Sequence, residues 1–138
     1  MTGTNPGLRI ALCVSLAIAA GAAFGCKAVP LAAGAERVVV SREAQPETCK
    51  FLGALVGQQG GAWSGGWTSN RNLAQGALNE LRNQALTLGA NYVKLESEHA
   101  GVTGSGSTFE GTGSYSSAQT DVTKTGNAYK CPPEDIGL

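Results

Sequence analysis

Leu73, Ala74, Ala77, Leu78, Leu81, Ala85 and Leu88 recur at three- and four-residue spacing, the spacing of one face of an α-helix. Gln75, Asn79, Glu80, Arg82, Asn83 and Thr87 fall on the other face. Thr68-Ser69-Asn70 offers capping side chains for the free N–H groups at the start, and Gly89 supplies a left-handed stop. Gly76 inside the helix costs up to about 1 kcal/mol relative to Ala, which fits a helix lying close against a sheet. The next stretch reads as part of that sheet. Residues 91–97 form a strand with Val93 and Leu95 on one face and Tyr92, Lys94 and Glu96 on the other.

The remaining segments supply further strands. Residues 36–41 cluster β-branched side chains and read as a first strand. In 49–56 the apolar run of Phe51, Leu52, Leu55 and Val56 is too continuous for alternation, so a strand buried on both faces is expected. Residues 57–66 are a glycine-rich loop carrying Trp63, with Trp67 just beyond. Its glycines permit tight turns and its indoles cover the edge of a small core, or else line a ligand-facing lip. Residues 101–118 are almost all Gly, Ser and Thr and read as a flexible loop. Residues 120–130 return to a strand-like pattern, with Gly126-Asn127 as a kink or turn, and 132–138 are a frayed tail. The fold expected is a single α+β domain over 36–131, with a three- or four-stranded, mainly antiparallel sheet and one helix packed on a face.

The chain before this domain has another character. Arg9 gives a sparse positive region, and residues 10–20 are an apolar stretch of about a dozen residues. Ala23-Phe24-Gly25-Cys26 then places small residues ahead of a cysteine, as in a bacterial lipoprotein signal, where the thiol receives a diacylglyceryl group before cleavage. On this reading 1–25 are a signal peptide, Cys26 is the lipidation site, and 26–35 are the acylated cysteine and a flexible tether reaching on the order of 15–18 Å. Plain secretion is the rival, because the same residues pass as a small-x-small cleavage site. A buried hydrophobic helix is a further alternative. A transmembrane anchor needs about 20 apolar residues, and residues 10–24 fall short of that.

Of four cysteines, Cys13 lies in the apolar stretch and Cys26 carries the lipid, which leaves Cys49 and Cys131. In an oxidising compartment they most simply form a disulfide, although two separate buried thiols also fit. The charge balance is ten basic against ten acidic residues, with no basic field for nucleic acid. Catalytic chemistry finds little purchase. His99 is the single histidine, no His/Cys cluster has metal-ligand spacing, and no cofactor-binding motif is present. Glu96 and Glu98 are two apart, share a strand face on this reading, and fit a solvated edge better than acid–base work. No catalytic residue and no enzyme activity is expected.

Trp67-Thr68-Ser69-Asn70, residues 76–83, Leu88-Gly89-Ala90-Asn91, residues 125–132 and the start 26–37 resemble a family of small proteobacterial envelope lipoproteins catalogued as a domain of unknown function. The resemblance implies a small α+β domain held to a membrane by its lipid, and it implies no activity. The Leu-Gly-Ala-Asn-x-Val unit is more distantly similar to the outer-membrane lipoprotein sensor of the Rcs stress phosphorelay. That sensor holds two disulfides, whereas this domain has cysteines for one. Lys27 rather than Asp follows Cys26, which by resemblance to sorted lipoproteins implies the outer membrane, periplasmic side. The function expected is a non-catalytic binding or structural module with an envelope protein as a possible partner. The alternative is an envelope-stress sensor.

Overall fold

A computed structural model describes residues 27–61 and 65–138. The expected signal peptide with Cys13, the expected lipidation site Cys26, and Trp63 lie outside the described residues. In chain order the elements are a 3-10 turn (Ala35–Arg37), β1 (Val39–Ser41), β2 (Lys50–Gly60), a second 3-10 turn (Gly65–Trp67), α1 (Asn70–Thr87), β3 (Tyr92–Phe109), β4 (Thr112–Lys130) and a third 3-10 turn (Pro133–Asp135). The strands form one mixed sheet in the order β1-β3-β4-β2. β1 runs parallel to β3, while β4 is antiparallel to both β2 and β3. Among the described residues the fold is thus α+β, with four strands and one helix, as the sequence predicts.

The helix ends where its sequence says it should. Ser69 caps the start, its Oγ accepting from the Asn72 N–H at 3.2 Å. At the other end Gly89 has φ 76°, its N–H reaches Leu86 O, and the Ala90 N–H reaches Ala85 O. That is a Schellman stop, which needs the left-handed residue that glycine supplies. Leu73, Ala77, Leu81 and Ala85 are fully buried against the sheet, where they meet Leu55, Val93, Val122 and Ala128. Burying each of the two leucines contributes roughly 1.5–3 kcal/mol. The approach is close because of two glycines. Gly76 lets the Gln59 side chain pass, and Gly57 faces the helix backbone, where a Cβ would stand 2.8 Å from Leu81 N and closer still to Ala77 O.

Several expectations change. β2 is not buried on both faces: Leu55 is buried, but Ala54 and Val56 beside it are exposed. It lies at the sheet edge, and the helix packs against the Leu55 and Gly57 face alone. It also continues to Gly60, into the stretch expected as loop. Its open backbone is capped by helix side chains. The Gln58 N–H donates to Glu80 Oε2 at 2.6 Å, and Gln84 Nε2 donates to Val56 O at 2.9 Å. The first strand is shorter than expected, because residues 35–37 wind into a 3-10 turn. Nor does β4 kink at Gly126-Asn127. It runs through, and Gly126 is needed because a Cβ would stand 2.8 Å from Lys94 O. The irregularity sits across the ladder, where the register slips between Leu95 and Ser97 and leaves Glu96 as a bulge. The tail is folded rather than frayed: residues 133–135 make a turn, and Ile136 packs on the cluster of Tyr92, Tyr129 and Cys131.

The two largest corrections concern 27–35 and 101–118. Residues 29–34 are not a free coil, because side chains of the helix and of β2 hold them. Val29 N–H donates to Gln59 Oε1 at 2.8 Å and Val29 O accepts from Asn79 Nδ2 at 2.7 Å. Asn83 takes the next turn, accepting from Ala32 N–H at 2.8 Å and donating to Pro30 O at 3.0 Å. A side-chain amide carries both N–H donors and an acceptor oxygen, so Asn83 engages the passing backbone in both directions, as a neighbouring strand would. Residues 101–118 are likewise not a loop. They are the far halves of β3 and β4, paired from Gly101↔Asp121 out to Phe109↔Thr112.

Cys49 and Cys131 form a disulfide with Cα atoms 4.2 Å apart. The register Lys50↔Lys130 places them opposite each other at one end of the β2–β4 pair. Asn91 fixes that end. Its side chain accepts from Cys131 N–H at 2.8 Å and donates to Cys131 O at 2.7 Å.

Candidate functional site

The carboxylates named from the sequence do not converge. Glu98 is held by two cations, Lys124 Nζ at 2.7 Å and Arg42 Nη2 at 3.1 Å. The Lys124 hydrogen bond holds the Glu98 carboxyl below the usual carboxylate range, against partial burial, with the charges of Lys124 and Arg42 adding to it. Glu96 instead contacts Lys94 Nζ at 3.1 Å and accepts from Asn127 Nδ2 at 3.0 Å. Lys124 and Asn127 are an odd number of residues apart on β4, so they face opposite sides of the sheet. Glu96 and Glu98 therefore do too. The bulge at Glu96 shifts the alternation that the sequence spacing assumed. A carboxylate kept ionised by a buried lysine is a structural ion pair and a poor proton donor at neutral pH. His99 is exposed at the register of Thr123. Among the described residues no group of three or more His, Cys, Asp and Glu side chains is arranged to hold a metal.

A shallow groove of about 440 Å³ lies at the disulfide end, between Val38, Leu86, Ala90 and Leu138, with Arg37 and Lys130 at its rim. It brings no reactive group to an apolar floor. The most distinctive surface is at the opposite end.

There β3 and β4 leave the body as a two-stranded arm. β2 stops at Gly60↔Asp121 and β1 at Ser41↔Lys94, so beyond Asp121 neither strand has a second neighbour. Eight residue steps on β3 separate Gly101 from Phe109, or about 27 Å at roughly 3.4 Å each. The tip is Glu110-Gly111, with φ 45° and 83°. Two consecutive positive φ values give the tight hairpin turn whose twist matches its strands. On one face the hydroxyls pair across the ladder: Thr103 with Thr120 at 3.2 Å, Ser105 with Ser116 at 3.3 Å, and Ser107 with Ser114 at 3.2 Å. On the other, the Tyr115 ring lies over Gly104, where a Cβ would stand 3.0 Å from Cε2. An aromatic laid across a strand glycine restores the packing the glycine lacks. Val102, Phe109 and Tyr115 are 63%, 79% and 76% exposed. Trp67, in the turn that packs beside β4 at this same end, is 84% exposed.

The sequence did hold a signal for the arm. Hydroxyl residues recur at every second position on both sides of Glu110-Gly111, at 103, 105 and 107 and at 112, 114 and 116, which is strand period around a turn dipeptide. Low hydrophobicity hid it, because the pattern lacks the apolar residues that normally mark a strand.

A family model described as a domain of unknown function, DUF4156, matches residues 29–131. The chain belongs to that family. The DUF4156 match runs from Val29, the first residue clamped by the helix, to Cys131, the second bridging cysteine. It therefore includes the arm. Comparison with curated proteins and with solved structures finds no match.

Proposed function

We propose that this DUF4156 protein is an envelope lipoprotein, acylated on Cys26, that works as a non-catalytic binding or structural module. The observation that carries the reading is the clamp on residues 29–34. Cys26 lies three residues ahead of Val29, and three residues span at most about 10 Å. A lipid on Cys26 would therefore hold the folded domain against a bilayer with little slack, and the clamp gives the residues after that cysteine a defined course. The Cys49–Cys131 bridge supports an oxidising compartment. Lys27 after the cysteine supports the outer membrane, periplasmic side, as the destination. The charged side chains named above are absorbed in ion pairs, which supports a binding role over catalysis.

Labelled palmitate should enter the wild type and not Cys26→Ala, and the wild type should fractionate with the outer membrane. Recovery of an unlabelled, soluble wild type would favour plain secretion. Recovery with the inner membrane would overturn the destination alone. Removing the protein from its host while following an envelope-stress reporter separates a structural role, which leaves the reporter quiet, from a signalling one.

A further inference from the structure

From the arm, the clamp and the position of Cys26 we infer that the β3–β4 arm rests on the membrane that holds the protein, its aromatic residues lying at the headgroup level of a zwitterionic phospholipid bilayer. This rests on the lipid anchor proposed above.

The direction of the chain carries it. From Val29 to Gly34 the backbone passes Asn79, then Asn83, then Leu86, so it travels toward the C-terminal end of α1. It therefore enters from the N-terminal end of α1. That is also the arm end, because Leu73 near the helix start packs on Val122 and beside Gly60, where β2 stops. Gln59, which anchors the Val29 N–H, pairs with Val122 at the base of the arm. The acyl chains thus enter the bilayer within about 10 Å of Val29, beside an arm of about 27 Å. An arm longer than the slack in its tether, leaving from the same end, meets the bilayer.

The surface chemistry of the arm suits that place. Between Val102 and Thr120 the single charged residue is Glu110, so no desolvated cation or anion array opposes contact. Trp67 and Tyr115 are exposed there, and Phe109 is exposed at the tip, on the hydroxyl face opposite Tyr115. Aromatic rings with a polar handle collect at membrane–water interfaces, where one end is apolar and the other wet. With no lysine or arginine on the arm, neutral lipid suffices. The arm cannot sink further. Both of its outer edges carry unpaired backbone N–H and C=O groups, and each would cost several kcal/mol in hydrocarbon. It lies along the interface, where water and headgroups satisfy those groups. The disulfide end, with Phe51, then faces away from the lipid.

The test uses the full acylated protein in phosphatidylcholine vesicles, with and without brominated acyl chains as a quencher of tryptophan fluorescence. Single-tryptophan proteins are made on W63F/W67F, carrying Tyr115→Trp or Phe109→Trp on the arm, or Phe51→Trp at the far end. Flotation with the vesicles reads the lipid anchor, and quenching reads the arm. The expected result is flotation of all three, with clear quenching of Tyr115→Trp, weaker quenching of Phe109→Trp on the opposite face of the tip, and none of Phe51→Trp. Flotation without arm quenching overturns the arm inference and leaves the anchor standing. Equal quenching at both ends also overturns it, because the domain then has no preferred orientation. Failure to float defeats the anchor and this inference together. Protection of the arm tryptophans from aqueous iodide without lipid quenching would place the arm against a second copy of this chain, and would overturn the membrane assignment.

Discussion

β3 and β4 each have two halves that obey different rules. In the body, β4 alternates under the helix, with Thr120, Val122, Lys124, Gly126 and Ala128 buried and the residues between them only partly covered. In the arm, every residue from Val102 to Ala118 is exposed. The backbone ladder is the same in both. What differs is what lies against the ladder: a helix and a third strand in one case, solvent and a row of paired hydroxyls in the other. The edges differ as well. β2 presents its outer backbone to Glu80 and Gln84, whereas the outer edges of the arm have no further strand. A two-stranded ribbon is marginal in water, so the arm depends on the body to hold its strands in register. Its own cross-strand pairs add roughly 0.2–1 kcal/mol each.

The comparison can be broken from the body side first. Cys49 and Cys131 are 82 residues apart, and the chain-entropy argument values closure of such a loop at roughly 4.5 kcal/mol as an upper figure. Replacing both with Ala should lower stability by several kcal/mol in a denaturant titration. Thiol labelling of the denatured protein should detect neither cysteine before reductant is added. Gly57→Ala comes next. Its Cβ would meet the helix backbone at Ala77 and Leu81 rather than a side chain that can turn aside. A loss of about 1–3 kcal/mol is expected, and an unchanged midpoint would mean that the helix rides higher than described.

Asn83→Ala removes both hydrogen bonds to Ala32 and Pro30 and should cost about 1–2 kcal/mol. Its sharper readout is protease cleavage within residues 28–34, fast in the variant and slow in the parent. Glu98→Gln should flatten the acid limb of the stability curve. The Glu98 pKa is lowered in the fold, so its contribution is full above the unfolded carboxylate pKa and is lost as pH falls through the lowered value. Because its side chain is 35% exposed, the effect should stay within about 1 kcal/mol. The smallest effect belongs to the arm. Replacing 102–119 with a short Gly-Ser turn should shift stability by about 1 kcal/mol or less. A melting temperature several degrees lower would show that the arm supports the body and not only the reverse.

Local pattern fixed α1 and both of its ends, the strand at Tyr92–Leu95, and the two cysteines left to bridge. Each follows from side chains a few residues apart: an apolar stripe at helical spacing, a capping hydroxyl, a glycine that accepts positive φ. Other features were decided only by which element lay next to which. Asn79 and Asn83 read as solvent-facing until residues 29–34 return across them. Gly57 reads as loop until a helix presses on it. Glu96 and Glu98 share a face on paper and part company at a bulge that their own spacing cannot show. Residues 101–118 hold too little apolar surface to signal a strand, and they become one because β3 and β4 leave the core already paired. Except in the arm, whose pairing is local but whose pattern lacks apolar residues, the deciding contact joins residues far apart in the chain, and local periodicity carries no information about a partner it does not contain.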